Sequence, residues 1–109
     1  MTQRCLVTGA TGYIGGRLIP RLLEEGVTVR VLVRHPERIA QHPWYDKVEI
    51  ISGDADDPQA CEAALKDVDV AYYLIHAIGS AGDLEENERH TATVFSEAAK
   101  SNNVGRIIY

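Results

Sequence analysis

The sequence is poor in cysteine, in basic charge and in long apolar runs, and each shortage excludes a class of protein. Cys5 and Cys61 are too few and too far apart for a disulfide framework or a metal site, so we expect two small buried side chains. The net charge of −5 disfavours nucleic acid and anionic membrane as partners, because both need a basic surface. No apolar run is long enough to cross a bilayer. Residues 1–4 lead directly into a strand-like segment, so we expect a cytoplasmic protein without a signal peptide.

Short apolar segments alternate with amphipathic ones along the chain. The pattern predicts strands at residues 4–7, 28–33, 48–51, 68–75 and 106–109. It predicts helices at residues 13–25, 36–41, 58–65 and 83–102, the third of them with Asp57 as its N-cap. Strands separated by helices favour parallel pairing with right-handed crossovers. We therefore predict an α/β fold, a doubly wound parallel (Rossmann) sheet with strand order 3-2-1-4-5.

The chain length suits one domain over residues 1–109. A doubly wound dinucleotide domain usually has six strands, whereas this chain stops within the fifth. We therefore expect the N-terminal part of such a domain, truncated after strand five, with the catalytic and substrate-binding part absent.

The most informative segment is the glycine-rich turn at residues 8–15, Thr-Gly-Ala-Thr-Gly-Tyr-Ile-Gly, between the first strand and the first helix. A pyrophosphate binds to the free N–H groups and the dipole of a helix N-terminus, and side chains would block its approach. Gly9 suits the tight turn, Gly12 the approach of the phosphate, and Gly15 the packing of helix on strand. Thr11 adds a hydroxyl group for a phosphate oxygen. The spacing is G-x-x-G-x-x-G, and its place between strand and helix indicates a dinucleotide site.

This run resembles the cofactor loop of extended and atypical short-chain dehydrogenases/reductases, which include sugar-nucleotide epimerases and NmrA-like NADP-binding proteins. The resemblance covers the whole chain, because residues 53–54, 68–76 and 98–109 are similar to later segments of that family. It implies four further cofactor-binding residues: Tyr13, Ile14, Ile75 and His76.

The residue at the end of strand two decides between NAD and NADP. An acidic residue there binds the ribose 2′-hydroxyl, and a basic one accommodates a 2′-phosphate. Arg34 occupies this position, and its guanidinium can bind a phosphate through two parallel hydrogen bonds. Arg38 lies one helical turn farther on and can assist. We therefore expect NADP(H) as the cofactor, with NAD possible.

Two residues after strand three are candidates for the adenine end of the cofactor. Asp54 can accept a hydrogen bond from the adenine amino group, and Ala55 can contact the ring with its backbone. The alternative for Asp54 is a turn residue that binds its own backbone. For His76 the alternatives are a general acid or base near the nicotinamide ribose and a strand-end residue whose backbone alone matters.

The catalytic Tyr-x-x-x-Lys pattern of the resembled family is missing from residues 1–109, so we predict no catalytic residue and no turnover by this part alone. The resemblance implies that the intact protein is an NADP(H)-dependent oxidoreductase or sugar-nucleotide epimerase. The alternatives are an NmrA-like redox sensor that binds the dinucleotide without turnover and a structural subunit with a vestigial site. The resemblance also implies a homodimer through the 83–102 helix.

We expect Gly12→Val to abolish dinucleotide binding, because its side chain would fill the space through which a phosphate reaches the backbone N–H groups. Calorimetric titration with NADPH measures this loss, and a thermal unfolding curve checks that the variant folds. Unchanged affinity in a folded variant would show that the glycine-rich turn is not the pyrophosphate site.

Overall fold

The computed structural model describes residues 3–9, 13–74 and 84–108, without the side chains of residues 13–14, 84–89 and 91. The strands and helices of this part follow in chain order: β1 (Arg4–Thr8), α1 (Tyr13–Glu24), β2 (Thr28–Val33), β3 (Glu49–Ser52), α2 (Pro58–Leu65), β4 (Val70–Tyr73), α3 (Leu84–Ser101) and β5 (Arg106–Ile108). Two short 3₁₀ helices, Pro36–Arg38 and Tyr45–Lys47, lie between β2 and β3.

The strands form one parallel sheet of order β3-β2-β1-β4-β5, which confirms the predicted Rossmann topology. In the centre, Val7 of β1 pairs with Val31 on one side and with Tyr72 on the other. The winding direction reverses between β1 and β4. Ligands of such sheets bind beyond the carboxyl ends of the strands at this reversal, which is where the glycine-rich turn begins.

Each face of the sheet is covered by a separate apolar cluster, because successive side chains of a strand point to opposite faces. One cluster packs α1 and the β2–β3 connection on the sheet, and it includes Val7, Ile19 and Trp44. The other packs α2 and α3 on the opposite face, and it includes Leu6 and Phe95. The structure thus has the three-layer arrangement that the alternation of strands and helices predicts.

Both cysteines are buried free thiols, Cys5 on the α1 side and Cys61 within α2, as the sequence predicts. Tyr72 and Tyr73 also fall on opposite faces, and the ring of Tyr73 lies 5.0 Å from that of Phe95. These residues contribute to the two apolar layers. Within the described ranges, none of the helices combines the length and the apolar character that a bilayer-spanning segment needs.

Local sequence signals fix the ends of two helices. The side chain of Asp57 accepts a hydrogen bond from the N–H of Gln59 at 3.0 Å, which confirms it as the N-cap of α2, with Pro58 as the first helical residue. Gly26, at φ +79°, ends α1 in the left-handed conformation. Helix α1 continues through Pro20, so this proline does not end it.

Two predicted elements are shorter in the structure. The expected helix at 36–41 is a single 3₁₀ turn, Pro36–Arg38, because the chain then turns to bury Ile39 and Trp44 under the sheet. The expected strand at 68–75 is Val70–Tyr73 in the described part, and position 75 lies outside it. The strand starts two residues later than predicted because the N–H of Val68 still closes a turn with the carbonyl of Leu65.

Arg30, whose side chain is largely buried, connects β2 and the start of β3 to the end of α2. The Nη1 atom of Arg30 lies 3.3, 2.9 and 2.7 Å from the carbonyl oxygens of Ala63, Ala64 and Lys66. Its Nε donates to Glu49 on β3 at 3.2 Å, and its side chain is only 12% exposed. One cation therefore satisfies carbonyls that the helix itself leaves unpaired and that carry its negative dipole end.

We expect Arg30→Met to lower the free energy of unfolding by about 1–3 kcal/mol, because it leaves the α2 carbonyls without their charged donor. Urea denaturation measures the change. Arg21→Met is the matched control, since Arg21 is exposed on α1, and it should cost less than about 0.5 kcal/mol. Equal costs for the two variants would contradict the capping role of Arg30.

Candidate functional site

Three of the predicted site residues lie at one edge of the sheet. Gly9 directly follows β1, Arg34 directly follows β2, and Asp54 is the second residue after β3. They share this edge because all strands of the sheet are parallel, so that their carboxyl ends point the same way. The order β3-β2-β1 places them in a row leading away from the reversal between β1 and β4.

Gly9 occupies a position that only glycine fits. Its φ is +80°, and a Cβ atom there would lie 2.7 Å from the carbonyl oxygen of Leu74. The chain thus leaves β1 pressed against the end of β4. Gly15 is buried in the first turn of that helix. This geometry fits the tight turn expected of Gly9.

Thr8 is a part of the site that the sequence reasoning missed. Its side chain is fully buried, and its hydroxyl donates to the carbonyl of Tyr72 at 2.9 Å and accepts from the N–H of Leu74 at 3.3 Å. The hydroxyl therefore holds the ends of β1 and β4 together directly before Gly9. A lone hydroxyl residue at the end of an apolar strand, next to the first glycine, is the signal that would have pointed to it.

Arg34 and Asp54 are brought together at the far end of the row. The Nη1 atom of Arg34 lies 3.6 Å from Oδ2 of Asp54, and the two side chains are 71% and 43% exposed. The N–H of Gly53 donates to the carbonyl of Val33 at 2.9 Å, which continues the β2–β3 pairing by one step and sets the two residues side by side. Because the pair is exposed, it contributes little to stability.

Helix α2 supports the loop that carries Asp54 through a hydrogen bond. Ala55 is buried, and its carbonyl accepts a hydrogen bond from Sγ of Cys61 at 3.1 Å. Burial, together with the neighbouring carboxylates, raises the pKa of Cys61 to about 11, so this thiol stays protonated and acts as a donor. Cys61 is therefore a structural support of the loop and not a nucleophile.

A family model described as NAD(P)H-binding matches residues 9–109. The chain belongs to this NAD(P)H-binding family. The match begins at Gly9, so it includes the glycine-rich turn from that residue on, Arg34, Asp54 and the four strands β2 to β5. NAD(P) is thus the cofactor class of this domain.

Curated relatives of this NAD(P)H-binding chain are much longer than the chain itself. It is 32% identical over 94 residues to a 3β-hydroxysteroid dehydrogenase/Δ5→4-isomerase of Mycobacterium tuberculosis, covering 84% of this chain and 25% of that protein. It is 40% identical over 75 residues to a ceramide reductase of Caulobacter vibrioides, covering 67% of this chain and 22% of that protein. The chain therefore spans about a quarter of the length of these relatives.

Solved structures share the fold over nearly the whole chain. Triphenylmethane reductase of Citrobacter sp., complexed with NADP(H), superposes with a TM-score of 0.77 at 25% identity and covers 95% of this chain and 35% of its own. UDP-N-acetylglucosamine 4-epimerase of Bacillus cereus gives a TM-score of 0.77 at 25% identity, with 99% and 39% covered. The resemblance to extended short-chain dehydrogenases/reductases and epimerases is confirmed.

The individual residue assignments of the NAD(P)H-binding site stay predictions. Arg38 is exposed at the end of its 3₁₀ turn, and Ala55 contributes a buried side chain. The remaining predicted residues lie outside the described residues, or their side chains do: Thr11, Gly12, Tyr13, Ile14, Ile75 and His76.

An open groove of about 620 Å³ lies between α1 and the connection before β3. It is lined along α1 from Gly16 to Glu24, and on its other side by residues 42–44 and Lys47. The groove lies on the face of the sheet that α1 covers, whereas the dinucleotide of such folds binds beyond the carboxyl ends of the strands.

We expect Gly9→Ala to weaken NADPH binding by at least about tenfold, since its Cβ would displace the backbone of the turn from the end of β4. Gly26→Ala is the matched control, because Gly26 has nearly the same φ and a Cβ there meets nothing within 4 Å. It should lose about 1–2 kcal/mol of stability to backbone strain and keep its NADPH affinity.

Fluorescence titration with NADPH gives the affinities of both glycine variants, and chemical denaturation gives their stabilities. If Gly9→Ala bound NADPH as tightly as Gly26→Ala, the close contact between the ends of β1 and β4 would have no part in cofactor binding.

Proposed function

We propose that this chain binds NADP(H) in preference to NAD(H) and serves an oxidoreductase or epimerase. The observation that carries the cofactor preference is the position of Arg34. Its exposed guanidinium lies at the carboxyl end of β2, beside Asp54 and in line with Gly9. A pyrophosphate at the start of α1 would direct the adenosine half of the cofactor toward β2 and β3, and so toward this guanidinium.

The charge balance at the tip of β2 supports the same preference. The chain continues Val33, Arg34, His35, Pro36, with no acidic residue where a ribose 2′-hydroxyl acceptor would stand. The first acidic residue, Glu37, pairs with His35 at 3.5 Å and is 74% exposed. Arginine presents several N–H donors in one plane, which suits a phosphate better than a neutral hydroxyl.

The reaction class is supported by the names of the relatives, which include a dehydrogenase, reductases and an epimerase. The bound dinucleotide would supply or accept the hydride. The residues of this chain would hold its pyrophosphate, its 2′-phosphate and its adenine, and so fix its position for reaction. Sustained oxidation of NADPH by the whole protein with an aldehyde, ketone or quinone tests this class.

The family resemblance also supports a homodimer through the 83–102 helix. Helix α3 buries Phe95, Ala98 and Ala99 against the sheet, and it leaves Glu97 and Lys100 exposed on its outer side for contact with a second copy. A cytoplasmic location belongs to the same proposal, because two free thiols in a short chain are usual in a reducing compartment.

We expect Arg34→Ala to weaken NADPH binding by roughly ten- to a hundredfold, the typical loss for one charge-assisted phosphate contact. NADH binding should fall less than about threefold, because its ribose carries no phosphate. Fluorescence titration with both nucleotides measures the two affinities. Arg21→Ala removes an exposed arginine from α1 and should leave both unchanged. Equal weakening of NADPH and NADH in Arg34→Ala would show that Arg34 does not select the cofactor.

A further inference from the structure

The guanidinium of Arg34 has an acidic neighbour at the place where it would meet a phosphate. Its Nη1 atom lies 3.6 Å from Oδ2 of Asp54, through one nitrogen and one oxygen. The contact is too long for a strong hydrogen bond. It is an electrostatic pair at the surface, and it brings a fixed negative charge to the predicted 2′-phosphate position.

The backbone around Asp54 holds its carboxylate toward Arg34. Its Oδ1 accepts from the N–H of Asp56 at 3.4 Å, which leaves Oδ2 to face the guanidinium. The preceding Gly53 packs so closely on α2 that it has no space for a side chain, because a Cβ there would lie 2.7 Å from the Cβ of Ala60. The carboxylate is thus set by the fold, whereas Arg34 is a long side chain that is 71% exposed.

Further acidic residues strengthen the negative charge of this loop. Residues 54–57 read Asp-Ala-Asp-Asp. Desolvation, the charge of Asp54 and a side-chain hydrogen bond with Asp54 raise the pKa of Asp56, and the charge of His90 acts in the opposite direction. A phosphate that reaches Arg34 therefore also approaches a group of carboxylates.

We propose that Asp54 lowers the affinity of this site for a ribose 2′-phosphate and thereby limits how strongly NADP(H) is preferred over NAD(H). The inference rests on the proposed role of Arg34. A phosphate monoester carries nearly two negative charges and would share one guanidinium with the Asp54 carboxylate, so the two anions compete for the same N–H donors. Exposed pairs of this kind orient side chains weakly, so this competition outweighs any help that Asp54 gives by orienting Arg34.

The test is Asp54→Asn, which removes the charge and keeps the size and the oxygen that accepts from Asp56. The ratio of NADPH affinity to NADH affinity should rise about two- to fivefold, the range for an exposed charge pair. This ratio is the readout because the predicted adenine contact of Asp54 is common to both nucleotides, whereas only NADPH carries the 2′-phosphate. Fluorescence titrations of both nucleotides at low salt measure these values, and the gain should shrink at high salt.

A second variant and a matched control keep the test independent of folding and of net charge. Asp54→Ser can also accept from the Asp56 N–H and should show the same gain. Glu37→Gln removes the same charge three residues from Arg34, where the carboxylate lies 3.5 Å from Nδ1 of His35. Its effect on NADPH should be smaller, and a gain equal to that of Asp54→Asn would overturn the proposal.

A double variant that also lacks Arg34 completes the test. In an Arg34→Ala background, Asp54→Asn should give at most a small part of its gain, because the contested guanidinium is gone. An undiminished gain there, or a fall in the ratio of NADPH to NADH affinity in Asp54→Asn alone, would overturn the role of Asp54. Wild-type protein that binds NADH as tightly as NADPH would instead overturn the proposed cofactor preference itself.

Discussion

The ends of β1 and β4 lie so close together that the residue after β1 has no space for a side chain. A Cβ at Gly9 would lie 2.7 Å from the Leu74 oxygen, and the buried hydroxyl of Thr8 bonds to both Tyr72 and Leu74 just before it. This contact fixes the backbone of Gly9 against the end of β4. The predicted phosphate-binding segment begins at this point, so its starting position depends on that one constraint.

The parallel register of the sheet also fixes the positions of Arg34 and Asp54, which are predicted to bind the adenosine half of the cofactor. Val31 lies beside Val7, and Ile50 beside Val31, so the tips of β2 and β3 stand at defined distances from the glycine turn. Arg34 and Asp54 meet because the N–H of Gly53 extends the pairing past the last strand residue. The spacing between phosphate and adenosine positions is therefore a property of the backbone.

Features with a local cause were predictable from the sequence, and those with a distant cause were not. The alternation of strands and helices and the N-cap at Asp57 depend on periodicity or on one residue's conformational preference, and both were predicted. The burial of Trp44 and the hydroxyl bridge of Thr8 depend on which elements pack nearby, which no local pattern encodes. The Arg34–Asp54 pair joins residues from two strands and needed the register of β2 and β3.

The thiol of Cys61 has a consequence beyond packing. Through its hydrogen bond to the Ala55 carbonyl it links helix α2 to the loop that carries Asp54, and α2 is in turn held at its other end by Arg30. Helix α2 is thus the connection between this loop and the sheet. A substitution that displaces Cys61 on the buried side of α2 would shift the backbone that carries Asp54, so the surface beside Arg34 depends on residues of the core.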